Sequence, residues 1–349
     1  MFKPLRGIKV LDLSRILAGP YCAQQLADLG AEVLKIEAPW GDDTRKWGPP
    51  FTAGFDGKEV AAYFLSCNRG KTIEHAHLVN DWNEIKGHIE QSDIIIENFK
   101  PGTMEKFLDA WPQRAIICRI TGYGQSGPRM QQPAYDLTMQ ARSGIMSMTG
   151  EKGREPVKVG VAWIDVMTGM TATSAILAAL FEREKSGQGA LLDLSLWDVA
   201  VSSMVNQAHN VFAGKHPEPM GSAHPNLVPY KVFKARDGWF ALGIGSDEQW
   251  MDFSERTGLD AKEEWRTNQG RIQYRDEVEQ SVQSIIEQRT RAELEALLYG
   301  IPCAPVNSLH EALEDEQSVE RHVTEFVGGV QTLSSVFRFC QVQNENNDV

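Results

Sequence analysis

The sequence has few cysteines and no long apolar run, and both absences narrow what the protein can be. Its 349 residues include five cysteines, which are scattered and odd in number. They predict neither a disulfide framework nor a paired zinc site, and are typical of reduced thiols in a cytoplasmic protein. Nowhere do eighteen uncharged apolar residues follow one another, which argues against a membrane span. The first residues lead into a strand pattern without the apolar core of a signal peptide.

Positive charge is also scarce. The chain has 47 acidic and 35 basic side chains, so its formal net charge is −12. Nucleic-acid binding depends on clustered lysines and arginines that neutralise phosphates. We therefore expect no nucleic-acid partner, although a local basic pocket for one small phosphorylated molecule remains compatible with this charge.

Familiar nucleotide-binding and hydrolase motifs are missing as well. The turn after the first predicted strand contains one glycine, Gly19, so it lacks the dinucleotide fingerprint G-x-G-x-x-G. Walker A, H-E-x-x-H and G-x-S-x-G patterns are absent too. The segment 122–127 has the glycine spacing of a dinucleotide loop, but Pro128 and polar residues follow it where an apolar helix is expected. A nicotinamide or flavin cofactor is therefore disfavoured.

What the sequence does contain is an alternation of strands and helices over the first 200 residues. The predicted strands are 7–13, 32–37, 93–98, 115–121 and 191–197, and the predicted helices are 21–29, 81–91 and 165–184. Apolar strands interleaved with helices are typical of a doubly wound, Rossmann-like parallel sheet in an α/β fold. Ligands bind such sheets at the carboxyl ends of the strands, which makes the turns after Asp12, Asn98 and Thr121 the candidate site.

The pattern changes beyond residue 205. We divide the chain into a large Rossmann-like domain (1–205), a proline-rich linker (206–224) and a smaller α+β domain (225–300) that opens with a hairpin signal at Asp237-Gly238. Residues 301–349 are expected to return to the large domain and to end in a shortened tail.

Asp165 is the most interesting carboxylate of the chain, because it begins the longest predicted helix. One interpretation is a helix N-cap, whose side chain accepts backbone N–H bonds. The positive end of the helix dipole would also keep such a carboxylate ionised, as a covalent carboxylate nucleophile requires. Spacing alone leaves both interpretations open.

Six blocks resemble, in the same order, the signature segments of CoA-transferase family III, which includes formyl-CoA and carnitine-CoA transferases. These blocks are 7–21, 29–37, 97–102, 120–128, 159–169 and 301–306. The resemblance implies a cytoplasmic enzyme that transfers CoA from an acyl-CoA to a small carboxylic acid, with Asp165 forming aspartyl anhydride and aspartyl-CoA thioester intermediates. It also implies an interlocked homodimer, CoA thioesters as substrates, no tightly bound cofactor and no metal.

The resemblance further implies residues that contact CoA or the acid. The CoA positions map onto Leu17, Ala18, Asn98, Phe99 and Lys106, with Lys71 and Tyr135 as further candidates. Asn98 could instead cap a strand end, and Phe99 could be a core aromatic. Arg15 or Arg45 would pair with a distal carboxylate of the acid, and Arg45 is also a candidate for the phosphates of CoA. Gly243 and Gly245 resemble the place of a glycine-rich flap over the site, or they form an ordinary turn from strand to helix.

Two departures concern the phosphates of CoA. Ala38 follows the second strand where relatives often have a basic residue, and Leu78 ends the segment 75–78 where a lysine is usual. Both expected phosphate contacts are therefore missing, and the sequence does not indicate what replaces them.

Two other functions compete with CoA transfer. An α-methylacyl-CoA racemase needs a second base, but Tyr135 stands where racemases have a histidine, and a tyrosine with a pKa of about 10 is a poor base near neutral pH. A non-catalytic acyl-CoA binder would explain the lost phosphate contacts but not the retained Asp165. Segment 41–51 resembles members that use dicarboxylic acids, with succinyl-CoA as the usual donor.

Overall fold

The structure, a computed structural model, describes residues 2–340. Up to residue 121 its strands and helices are β1 Lys9–Asp12, α1 Ala18–Asp28, β2 Glu32–Glu37, β3 Phe51–Ala53, β4 Glu59–Ala61, α2 Ala62–Leu65, β5 Thr72–His75, α3 Trp82–Gln91, β6 Ile94–Glu97 and β7 Ile116–Thr121. Next come α4 Asp136–Ser143, α5 Trp163–Ser186, β8 Ala190–Ser195, α6 Leu196–Ser202, α7 Val205–Phe212, β9 Tyr230–Ala235 and β10 Gly238–Gly243. The remainder comprises α8 Asp247–Thr257, α9 Asn268–Gln273, α10 Arg275–Ile286, α11 Arg291–Leu297, β11 Cys303–Pro305, α12 Leu309–Glu314, α13 Glu316–Glu320, β12 Thr324–Val327 and β13 Val330–Leu333.

The described residues divide into two compact units. Unit 1 comprises residues 2–145, 158–212 and 316–340, and unit 2 comprises 146–157 and 213–315. These boundaries differ from the predicted ones, because β11 pairs with β10 and so keeps residues 301–315 in unit 2. Residues 341–349, the end of the expected tail, lie outside the described part of the chain.

Unit 1 is built on a six-stranded sheet with the order β5-β2-β1-β6-β7-β8, in which every neighbouring pair is parallel. The predicted parallel α/β sheet is thus confirmed. Its topology reverses between β1 and β6, because the chain first builds outward on one side of β1 and then on the other. The carboxyl ends of these two strands therefore flank the crevice where open α/β sheets bind ligands.

Helices α1 and α5 pack together on one face of this sheet. A Cβ atom at Gly169 would stand 2.7 Å from the carbonyl oxygen of Ala18, so only glycine permits this close approach. By length and hydropathy α5 could cross a membrane, a test that core helices of soluble proteins also pass. Its inner face is buried against α1, β7 and β8, so the packing gives it a structural role that needs no membrane.

Unit 2 has its own core. The antiparallel sheet β11-β10-β9 is covered by helices whose buried side chains include Trp250, Phe253, Val278 and Leu294. The hairpin predicted at Asp237-Gly238 joins β9 to β10. Unit 2 thus combines an antiparallel sheet with helices.

Candidate active site

Three neighbouring cavities surround the point where the topology of unit 1 reverses. The inner cleft, of about 200 Å³, is lined by residues that include Leu17, Ala18, Asn98, Gly122, Tyr135 and Asp165. The outer cleft, of about 370 Å³, is lined by residues that include Arg15, Ala38, Trp40, His77, Asn98 and Phe99. The apolar cavity, of about 940 Å³, is lined by residues that include Tyr21, Trp47, Tyr63, Lys158, Val161 and Asp165. The inner cleft shares residues with each of the other two.

Asp165 lies on the wall of both the inner cleft and the apolar cavity. Helix α5 begins at Trp163 with Ala162 at the N-cap position, and no side chain caps its start. The N-cap interpretation of Asp165 is therefore wrong, because this residue lies within the first turn. In the described part of the chain, no donor forms a hydrogen bond with its carboxylate.

Asp136, at the start of α4, supplies the capping contact that no residue next to the start of α5 provides. Its Oδ1 accepts a hydrogen bond of 2.8 Å from the backbone N–H of Ile164, and its Oδ2 accepts one of 2.6 Å from Nε2 of Gln140. This buried carboxylate thereby satisfies a free N–H of α5 and brings a negative charge near Asp165.

The charge state of Asp165 follows from these surroundings. Burial, and after it the negative charge of Asp136, raises the pKa of Asp165 to about 7. We expected the positive end of the helix dipole to keep this carboxylate ionised, but burial and the charge of Asp136 outweigh it. The result is a poorly solvated carboxylate that changes charge near neutral pH.

The turn after β1 carries backbone strain beside this carboxylate. Ile16 has a φ of +73°, in the left-handed region that disfavours β-branched residues. Its N–H donates to Oδ2 of Asp42 at 3.3 Å, and its carbonyl oxygen accepts from Sγ of Cys67 at 3.6 Å. Strained residues concentrate at functional sites, and Ile16 lines both the inner cleft and the apolar cavity.

Asn98 ties the turn after β1 to the turn after β6. Its Oδ1 accepts from the N–H of Arg15 at 3.1 Å, and its Nδ2 donates to the carbonyl oxygen of Arg15 at 2.8 Å. Phe99 packs on the core cluster next to the sheet. Both residues thus have the structural contacts that the alternative interpretation foresaw, and both also line the inner and outer clefts. Their role in CoA binding stays a prediction.

Lys71 is not placed where it could contact a phosphate of CoA. Its ammonium group is fully buried and donates to Oδ2 of Asp12, the carbonyl oxygen of Pro20 and Oδ1 of Asn68, at 2.8, 2.8 and 2.9 Å. All three of its N–H donors are therefore used inside the protein. The structure corrects the candidate role of Lys71 from ligand contact to core ion pair.

The predicted cations for a distal carboxylate are also engaged. Arg45 forms two hydrogen bonds with Glu37, of 2.6 and 2.9 Å, and its guanidinium lies 3.9 Å from the ring centre of Phe64. Arg15 pairs with Asp43 at 2.7 Å but stays largely exposed, and it lines the inner and outer clefts. Neither arginine lines the apolar cavity.

The remaining predicted residues are distributed as follows. Leu17 and Ala18 line the inner cleft, and Tyr135 lines both this cleft and the apolar cavity. Lys106 ends a short 3-10 helix, is exposed and lines none of the three cavities. Gly243 ends β10 and Gly245 donates its N–H to Oε1 of Gln249 at 2.7 Å, both within unit 2.

Sequence reasoning missed several residues of the apolar cavity. Trp47 and Tyr63 pack edge to face, with ring centres 5.3 Å apart. Burial, followed by the charge of Asp165, raises the pKa of Tyr63 to about 12. Lys158 precedes α5 in an irregular segment. These residues lie outside the strong periodic patterns, so only their proximity in the fold identifies them.

Comparisons with known proteins agree with this arrangement. A succinate–glutarate CoA-transferase from Agrobacterium fabrum is 38% identical over 330 residues, which cover 90% of this chain and 82% of that protein. A succinyl-CoA:mesaconate CoA-transferase from Haloarcula marismortui is 34% identical over 336 residues, 91% of this chain and 84% of that protein. The crystal structure of a CAIB/BAIF family protein from Brucella suis has a TM-score of 0.88 at 38% identity, covering 97% of this chain and 93% of that one.

The family profile described as CoA-transferase family III matches residues 5–344. This match spans both units of the fold, including the turn after β1, the turn after β6 and the first turn of α5. Together with the relatives above, it shows that the chain belongs to CoA-transferase family III.

Proposed function

We propose that this enzyme moves CoA from a dicarboxylic acyl-CoA, such as succinyl-CoA, to an acceptor carboxylic acid, with Asp165 as the nucleophile. The observation that carries the proposal is the position of Asp165 on the shared wall of the inner cleft and the apolar cavity. One carboxylate can there meet a thioester from one side and a free acid from the other. The names of relatives that act on succinyl-CoA, glutarate and mesaconate support the substrate class.

The chemistry proceeds by four acyl transfers. The Asp165 carboxylate attacks the thioester carbonyl of the donor, forming a mixed anhydride and releasing CoA as thiolate. The thiolate then attacks the aspartyl carbonyl of the anhydride, which gives an aspartyl-CoA thioester and frees the donor acid. The acceptor carboxylate attacks this thioester to form a second anhydride and thiolate. The thiolate finally attacks the acceptor carbonyl, producing the new acyl-CoA and restoring Asp165.

The surroundings of Asp165 suit these steps. No hydrogen bond stabilises its carboxylate in the described residues, so nucleophilic attack breaks none. Leu17, Val161 and Val166 give this side of Asp165 an apolar wall. A substrate bound against it would displace the water that would otherwise hydrolyse the anhydride. The same burial explains the raised pKa of Asp165, so reactivity and ionisation have one physical cause.

We place CoA along the outer and inner clefts. Lys100 lines both clefts and is exposed, so its ammonium group is available for a phosphate. Trp40 and His77, whose ring centres are 6.1 Å apart, offer aromatic surface beside Ala38 in the outer cleft. Stacking and one exposed lysine would thus compensate for the basic residues missing at positions 38 and 78.

The test is intact-protein mass spectrometry after incubation with succinyl-CoA, with hydroxylamine as a trap. We expect wild type to carry a covalent adduct that hydroxylamine converts to a hydroxamate at Asp165. The isosteric variant Asp165→Asn should carry none, because an amide cannot form the anhydride.

A wild type without adduct over a panel of acyl-CoAs would contradict the proposal. Exchange of the α-proton with deuterated solvent would then indicate a racemase, and binding without exchange would indicate an acyl-CoA binder. The described linings of the inner cleft and the apolar cavity contain no histidine that could act as a second base, which disfavours the racemase.

We also propose that the enzyme is a homodimer. Large apolar side chains are exposed on α5 and α7 of unit 1, including Met170, Phe181 and Phe212, and a second copy would remove them from water. Light scattering coupled to gel filtration tests this point. A monomer at micromolar concentration would contradict it.

A further inference from the structure

Lys158 is the one basic residue among the described residues that line the apolar cavity. The rest of the lining is aromatic, aliphatic or small, apart from Ser66 and the carboxylates of Asp136 and Asp165. Lys158 is exposed, so its ammonium group can meet a ligand that enters this cavity. A ligand with a negative group of its own would pair with it.

The ammonium group of Lys158 has no acidic partner within the described part of the chain. Its Nζ donates to the carbonyl oxygens of Val159 at 3.0 Å and Gly160 at 3.5 Å. These two neutral acceptors leave its charge uncompensated and leave one of its three N–H donors for a ligand. In contrast, Arg15 and Arg45 already pair with Asp43 and Glu37.

The backbone around Lys158 is fixed by the same residues that fix the nucleophile. The N–H of Val159 donates to Oε1 of Gln140 at 2.9 Å, and Nε2 of Gln140 donates to Oδ2 of Asp136 at 2.6 Å. Asp136 in turn accepts from the N–H of Ile164, next to Asp165. One chain of buried hydrogen bonds thus holds the lysine segment and the start of α5 in register.

We propose that Lys158 binds the distal carboxylate of the dicarboxylic substrate while the reacting carboxyl group of that substrate meets Asp165. This inference rests on the proposed function and names the residue that would make it selective for diacids. A charge-assisted hydrogen bond between Lys158 and a carboxylate discriminates against a substrate that lacks the charge. Arg15, paired with Asp43, lines the inner and outer clefts and not this cavity.

The test compares two acceptors of equal chain length, glutarate and pentanoate, with succinyl-CoA as donor. In a reaction with a covalent enzyme intermediate, kcat/KM for the acceptor does not depend on the donor half-reaction. We expect Lys158→Met to lower kcat/KM for glutarate about 10- to 100-fold, the effect of losing a charged hydrogen bond. The kcat/KM for pentanoate should stay unchanged or rise, and Lys158→Arg should retain most of the kcat/KM for glutarate.

Lys86→Met is the matched control, because Lys86 is exposed, lies outside the three cavities and pairs only weakly with Glu90. The affinity for free CoA should be equal in all variants. A kcat/KM for glutarate within about twofold of wild type in Lys158→Met, or an equal loss with both acceptors, would overturn the inference. A wild type that transfers no CoA to any acid would instead overturn the proposed function, so the two failures are distinguishable.

Discussion

Two aspartates of unit 1, Asp12 and Asp165, differ in what surrounds their carboxylates. Asp12 ends β1 and is completely buried, yet it accepts hydrogen bonds from Lys71 at 2.8 Å and from the N–H of Ser14 at 3.0 Å, with Lys35 at 3.9 Å. Asp165 is less buried, but no donor in the described residues reaches it. Its charged neighbour is the carboxylate of Asp136.

The two residues consequently ionise in opposite ways. Burial disfavours the charge of Asp12, but the ammonium groups of Lys35 and Lys71 more than compensate and hold its pKa below the ordinary value. Burial of Asp165 is uncompensated, and its pKa rises to about 7. Burial alone therefore does not decide the pKa of a carboxylate. The absence of cationic partners leaves the pKa of Asp165 raised, and its ionised form then lowers the stability of the folded state.

The largest effect should come from removing the carboxylate of Asp165, the proposed nucleophile. Asp165→Asn should lower kcat for CoA transfer by about 10⁴-fold or more, as removal of a covalent nucleophile does. Steady-state transfer from succinyl-CoA to a dicarboxylic acid measures this. Asp109→Asn, at an exposed aspartate outside the three cavities, is the control. Residual activity near wild type in Asp165→Asn would assign the chemistry to another group.

The next largest effect should come from substituting Asp12, the aspartate of the pair that is held in the core by lysines. Asp12→Asn should lower the free energy of unfolding by about 3–5 kcal/mol, because it leaves the buried ammonium groups of Lys35 and Lys71 without their shared partner. Urea denaturation at pH 7.5 measures the change. A loss below about 1 kcal/mol would mean that this network contributes no more than a surface pair, and the contrast between the two aspartates would disappear.

The contrast also separates what the sequence could and could not predict. The buried strand Ile94–Glu97 was predictable because its apolar run has the length of a strand between turn signals, and so was the ligand-binding crevice beside it. Strand Cys303–Pro305 was missed because three residues, one of them proline, show no periodicity. Its pairing with β10 is a tertiary property, and it moved the unit boundary.

The candidate site shows the same limit. Asp165 was predictable because a family motif surrounds it, but its pKa depends on its burial in the fold and then on Asp136 on another helix. Lys71 was a candidate contact for the phosphates of CoA, with an ordinary solvated lysine as the alternative. Its partners Asp12 and Asn68 come from different segments, so only the folded chain reveals that its donors are taken.

A smaller effect on the free energy of unfolding, opposite in sign to that of Asp12→Asn, sharpens the comparison of the two aspartates. Asp165→Asn should stabilise the protein at pH 8, by at most roughly 4 kcal/mol, since one pKa unit corresponds to about 1.4 kcal/mol. A carboxyl group whose pKa is raised in the folded state destabilises that state when it is ionised. The gain should therefore be greatest above pH 7 and shrink as the pH falls from about 7 towards the ordinary value of 3.8. Urea denaturation of both proteins at pH 5 and pH 8 measures it, and equal differences at the two pH values would contradict it.

The smallest effect is the pH dependence of catalysis. The nucleophile must be ionised, so kcat/KM for succinyl-CoA should rise about tenfold per pH unit below the pKa of Asp165 and level off above it. With that pKa at about 7, activity at pH 6 should be near one tenth of the plateau.

Asp136→Asn keeps an acceptor for the N–H of Ile164 but removes the charge beside Asp165, so it should move the midpoint of this pH profile to lower pH. This shift should be only part of the difference between the ordinary pKa of 3.8 and the value of about 7, because burial is the larger cause of that difference. A midpoint near pH 4 in wild type would show that Asp165 is as well solvated as a surface carboxylate, and the distinction from Asp12 would then rest on geometry alone.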